Sequence, residues 1–110
     1  MMTVFEILKN SGVVPGSIAI STTGHDKKRI YIVISVENKI AGLSDGNYRG
    51  YGNQKRKRVS HLKLIGILHD TEQKLDYLSR NDDSKEKDKH IRKWIREFIT
   101  ANPKTGEEKL

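Results

Sequence analysis

The sequence predicts a mainly β domain: a small antiparallel barrel of four or five short strands, preceded by a short N-terminal helix and followed by one or two C-terminal helices. Three observations predict it. Strand-like apolar alternation occupies much of residues 17–68, glycine-bearing turns interrupt it at short intervals, and from Asp70 the apolar spacing changes to a helical period. The expected divisions are 1–14, 15–69 and 70–110.

Residues 3–11 read as the first helix. Thr3 and Glu6 have capping-box spacing, Val4, Ile7 and Leu8 share a face, and Gly12 suits the exit. Pro15-Gly16 breaks the chain. "SIAIS" (17–21) then alternates, "TTGHDKK" supplies turn chemistry, and "RIYIVISVEN" is the strongest strand. In it Ile30, Ile32, Ile34 and Val36 recur with period two, opposite Tyr31 and Val33. Apolar residues on both faces fit a strand curling through a closed barrel. "KIAGLS" is a third strand, ended by the turn pair Asp45-Gly46. Residues 59–68 read as one or two more, with Gly66 marking a bulge or bend.

Beyond Asp70, "DTEQKLDYLSR" turns Leu75 and Leu78 inward, and "NDDS" offers N-caps. The last helix carries Ile91, Trp94, Ile95, Phe98 and Ile99 at i, i+3, i+4, i+7, i+8, and Asn102-Pro103 stops it. That stripe favours packing on its own domain, with docking on a partner or a second copy as the alternative; the charged opposite face (Lys89, Arg92, Lys93, Arg96) offers an RNA contact that Glu86, Asp88 and Glu97 dilute.

Composition bounds the chemistry. Of 110 residues, 35% are hydrophobic and 32% charged, so only a small core can form. The absence of cysteine removes disulfides, thiolate zinc sites and cysteine nucleophiles, and it fits a reducing compartment. No run reaches membrane-span length and the start lacks a secretory pattern, so the expectation is a cytoplasmic protein without a membrane partner.

Net charge is +7, and it is unevenly placed. Residues 1–46 carry five Lys/Arg against four Asp/Glu, and residues 70–110 carry ten against ten. Residues 47–69 carry six (Arg49, Lys55, Arg56, Lys57, Arg58, Lys63) against none. Cations at this density repel one another, so a loop that concentrates them fits a polyanion partner better than mere solvation. Tyr48 and Tyr51 supply rings for stacking on unpaired bases. A second cation group, His25, Lys27, Lys28 and Arg29, lies on the first hairpin turn, where it either extends the positive surface of the basic loop or is an ordinary charged turn.

Other chemistry is poorly supported. His61 and His69 are eight residues apart without a carboxylate at ligand spacing, and His61 reads more simply as packed where the loop returns to the barrel. Asp82-Asp83 suits helix capping, "GNYRGYG" lacks the Lys-Ser/Thr end of a phosphate loop, and a Ser60, His61, Asp45 set has no distinguishing spacing. No enzyme activity, cofactor or metal is expected.

The stretches "GSIAISTTGHDKKRIYIVISV", "GLSDGNYR" and "KRKRVSHL" resemble the KOW-domain RNA-binding proteins, relatives of the KOW-bearing large-subunit ribosomal proteins, over residues 15–68. The resemblance implies an SH3-like barrel and association with RNA, often at the ribosome. It implies contacts at His25, Lys27 and Lys28 on the turn, and at Arg49, Lys55, Arg56, Lys57, Arg58 and His61 on the basic loop. Lys28 stands where that family's turn has its second glycine, so a positive φ there would cost about 1 kcal/mol. The expected function is non-catalytic binding of ribosomal or other structured RNA. The alternative is a protein-interaction module on a transcription or translation assembly. A small DNA-architectural protein fits less well, since no element reads as a groove-entering helix or apolar wedge.

Overall fold

The computed structural model describes residues 12–103. The helix expected over 3–11 and the tail 104–110 lie outside them. Five strands, β1 (Ser17–Ser21), β2 (Ile30–Glu37), β3 (Ile40–Ser44), β4 (Lys55–Arg58) and β5 (Leu62–Ile67), form one antiparallel sheet in the order β4-β3-β2-β1-β5. Helices α1 (Thr71–Arg80) and α2 (Ser84–Ala101) follow.

Period-two alternation sorts the strand residues into two layers. Ala19, Tyr31, Val33, Ala41 and Leu43 join Val13, Val59 and Leu62 in an inner cluster. Ile18, Ile30 and Ile32 point the other way, against Leu68, Leu78, Ile91 and Ile95. Both faces of β2 are therefore apolar because two helices cover the outer one. The expectation had assigned that pattern to curling alone. Full burial of one aliphatic side chain contributes roughly 1.5–3 kcal/mol, so Leu78, Ile91 and Ile95 together favour helix docking by on the order of 5 kcal/mol. Trp94, Phe98 and Ile99 pack against the same cluster while staying half-buried, so the stripe seats the helix on its own domain.

Val36 departs from its expected face. Val33 pairs with Leu43 and Ser35 with Gly42, leaving Ile34 as an extra residue on β2. This bulge turns Val36 toward the inner cluster, opposite Ile34. The β2–β3 hairpin turns on Asn38-Lys39, both with positive φ (51° and 66°), as a two-residue primed turn requires. A second bulge falls where expected. Ile18 pairs with Gly66 and Ala19 with Leu64, so Ile65 is the extra residue. Gly66 also receives Phe98, whose ring carbon Cζ lies 2.7 Å from where a Cβ would stand.

The basic stretch 47–63 is less of a loop than expected. Lys55–Arg58 is an edge strand paired with β3, and a three-residue 3-10 turn, Val59–His61, leads directly into β5. Alternating cations give no apolar period to read, yet edge strands accommodate charge because one side is solvated. Nor does Asp45-Gly46 close a hairpin; it opens a longer connection containing the 3-10 turn Tyr51–Asn53. Because β4 and β5 are opposite edges joined by three residues, the sheet must curl until those edges meet at that corner. Among the described residues the two edges share no ladder, so the sheet is bent and open.

The helices begin and end where the sequence predicts. The Asp83 side chain accepts hydrogen bonds from the amides of Lys85 and Glu86, capping α2. Asn102 closes it, its side-chain amide donating to the Phe98 carbonyl. Among the described residues no helix is long and apolar enough to cross a membrane.

Candidate nucleic-acid interface

The six cations of residues 47–69 do not form one face. Lys57 lies on the inner side of β4, opposite Ala41, and its Nζ sits 2.7 Å from Asp26 Oδ1. Nζ also donates to Ser21 Oγ (3.0 Å) and the Thr23 carbonyl (2.8 Å). Tyr31 Oη and Ser21 Oγ donate to the same carboxylate at 2.8 and 2.9 Å. Burial alone would raise the Asp26 carboxyl. Hydrogen bonds from Lys57, Tyr31 and Ser21, with the Lys57 charge, outweigh it and hold the pKa down at about 2. Burial, reinforced by Asp26, pushes the Tyr31 phenol up to about 12. Lys57 thus belongs to the fold, and Asp26 is buried away from the turn's surface.

Alternation sends Arg56 and Arg58 to the opposite side of β4, where both are exposed; Lys55 is half-buried. Arg58 lies beside Asn38 and Lys39 at the hairpin end. Arg49 is half-buried, with its guanidinium on Asn53 Oδ1 (3.4 Å). Lys63 is exposed on β5, across a shallow depression from Lys27 and Lys28. His25 is exposed. His61 is exposed as well, not packed; only its carbonyl is tied in, accepting from Thr22 N and Oγ1. Tyr51 is not a free stacking surface. Its ring is half-buried among the helix-side apolar residues, Lys87 Nζ lies 4.4 Å over it, and its amide donates to Asp88.

What the structure does bring together is the β1–β2 turn, the 45–49 loop and α2. The turn is held from within by Asp26, and Lys28 sits in it at φ 75° with its amide on the Ser21 carbonyl. Arg29 leaves the turn and lays its guanidinium 4.0 Å over the Tyr48 ring, which is 67% exposed. The loop bearing Tyr48 is ordered by its own side chains. Asp45 Oδ1 accepts from the amides of Asn47 and Arg49, and Ser44 Oγ donates to the Arg49 carbonyl. Gly46, at φ 74°, is pressed against α2, and Arg92 Nη1 donates to its carbonyl. A side chain at residue 46 would collide with the Asp88 carbonyl and with Arg92.

Between these elements runs a groove of about 630 Å³. Lys27, Lys28 and Arg29 form one wall, Arg92 and Arg96 the other, Tyr48 stands at the rim, and Ile30, Ile95 and Ile99 make an apolar floor. Among the described residues none of the five cations lies within ion-pair distance of a carboxylate. Asp45 also lines the groove, but one of its oxygens is committed to its own loop. Uncompensated positive charge over an apolar floor suits an anionic ligand with a flat apolar part.

Sequence reasoning places Lys27, Lys28, Arg29 and Tyr48 at a binding surface, and these four meet at the groove. Arg92 and Arg96 join them from the charged face of the last helix, which the sequence offers only as a diluted RNA contact. Their signal is the i, i+4 spacing beside the Ile91/Ile95/Ile99 stripe, which puts cations along the border of the buried face. Among the described residues no group of three or more His, Cys, Asp or Glu side chains could hold a metal ion. The sequence matches no protein-family model and no curated protein.

Proposed function

We propose that this chain is a non-catalytic RNA-binding protein of the cytoplasm that associates with ribosomal or other structured RNA. The observation that carries the reading is the groove: five cations, without acidic partners among the described residues, converge beside an exposed tyrosine. The KOW reading rests on the residue pattern. The strand order, and the three-residue link between the sheet's edges, support treating the curled sheet as an SH3-like barrel. Lys63 lies beside Lys27 and Lys28 and extends the basic surface, whereas Arg56 and Arg58 are exposed apart from the groove and Lys57 contributes to stability. The test is salt dependence. If the five groove cations meet phosphates of a single strand, log Kobs against log salt has a slope of about −3.5. A slope near zero in wild type rejects the proposal.

A second reading has its own observation. Ile67 is 56% exposed beside a cavity of about 420 Å³ lined by Trp94, Phe98 and Leu68, which suits a protein partner on a transcription or translation assembly. Sedimentation in lysate separates the readings, since an assembly held through protein survives ribonuclease.

A further inference from the structure

We infer that the groove receives an unpaired nucleotide of an RNA strand, its base stacked on Tyr48 and its flanking phosphates held by Lys28, Arg92 and Arg96; the inference rests on the RNA-binding reading. Tyr48 is the most exposed large hydrophobic side chain among the described residues. Arg29 packs over its ring, and most of the side chain stays open to solvent. The loop beneath it is tied at Asp45, at Ser44 and through the Arg92–Gly46 bond, so the ring is presented rather than free to collapse. Ordering before binding lowers the entropy lost on capture.

The floor argues against a duplex. A-form RNA shows its exterior as phosphate and sugar, with bases stacked inside, and such a surface has no use for Ile95 and Ile99 at the base of a groove. An unpaired base has two apolar faces, one to stack on Tyr48 and one for aliphatic contact with the half-buried Ile99. On the far wall Arg92 and Arg96 are one helical turn apart, about 6 Å along the axis, spaced for neighbouring phosphates of an extended strand. A free mononucleotide shares this chemistry but uses only part of it, because its phosphates cannot reach both walls.

The experiment uses the full chain and a fluorescent RNA strand on the order of ten nucleotides long. The same strand carries 2-aminopurine in one version and is annealed to its complement in another. Wild type is expected to bind the strand at least about tenfold tighter than the blunt duplex and to quench the 2-aminopurine. Tyr48→Ala is expected to weaken strand binding by about five- to 100-fold, the range for one base–aromatic stack, and to abolish quenching. Tyr48→Phe keeps both. Thermal unfolding of each variant verifies the fold. Equal affinity for strand and duplex, or quenching that survives Tyr48→Ala, overturns the inference and leaves RNA binding standing. Adenosine monophosphate competing at the strand's own concentrations also overturns it, in favour of a mononucleotide site. No binding of either RNA at low salt overturns both readings.

Discussion

Lys57 on the edge strand and Asp26 in the β1–β2 turn, 31 residues apart, meet in a buried ion pair at 2.7 Å and tie one margin of the sheet to the base of the candidate interface. Their side chains are 9% and 7% exposed. Removing one partner of such a pair strands the other charge, which costs far more than the pair contributes as a whole. Lys57→Ala is therefore expected to destabilise the protein by about 3 kcal/mol in urea unfolding, and Asp26→Asn with Lys57→Met to recover most of that. Arg56→Ala should stay within about 0.5 kcal/mol of wild type. Replacing residues 55–58 together by alanine would confuse loss of charge with loss of fold.

The same carboxylate sets an acid limit. Its pKa is lowered from 3.8 to about 2 on folding, so its contribution is complete above pH 4 and disappears as pH falls through 2. The contribution is about 2 kcal/mol. Tyr31 acts at the other end: a phenol raised from 10.0 to about 12 stabilises below pH 10 and ceases to as pH rises through 12. Urea midpoints between pH 5 and 2 should fall steeply in wild type and less steeply in Asp26→Asn.

Lys28 occupies a left-handed conformation at φ 75°. That conformation costs an L-residue about 1–2 kcal/mol, and glycine would relieve it while loosening the unfolded chain. Lys28→Gly is expected to stabilise by about 0.5 kcal/mol net and to make the salt slope shallower by about 0.7, one single-strand phosphate contact. Stabilisation with an unchanged slope would remove Lys28 from the interface.

Gly66 leaves no room for a side chain under Phe98. Gly66→Ala should cost about 1–3 kcal/mol by overpacking, and Phe98→Leu in the same chain should recover part of it. Additive losses in the double variant, measured by thermal unfolding, would show that the two residues are uncoupled.

Much of the sheet is legible in the sequence because β2 states its period in β-branched residues and because turns mark its neighbours. Val36 is misread because a bulge is an insertion in register, which alternation alone does not announce. Strand β4 is misread because its inward and outward residues are all cations, so burial of Lys57 leaves no trace in hydropathy. The caps of α2 are local and legible at Asp83 and Asn102. The far wall of the groove is legible only as a charged helix face, since no spacing rule says which border of a docked helix will meet a turn some sixty residues earlier. Tyr48 and Tyr51 look equivalent in sequence and differ only in what packs over them.

The Arg92–Gly46 and Asp88–Tyr51 bonds fasten α2 to the loop that carries Tyr48. One bank of the channel is therefore carried by a helix and the other by the sheet, so the seating of Ile91 and Ile95 on the strands sets the width between them.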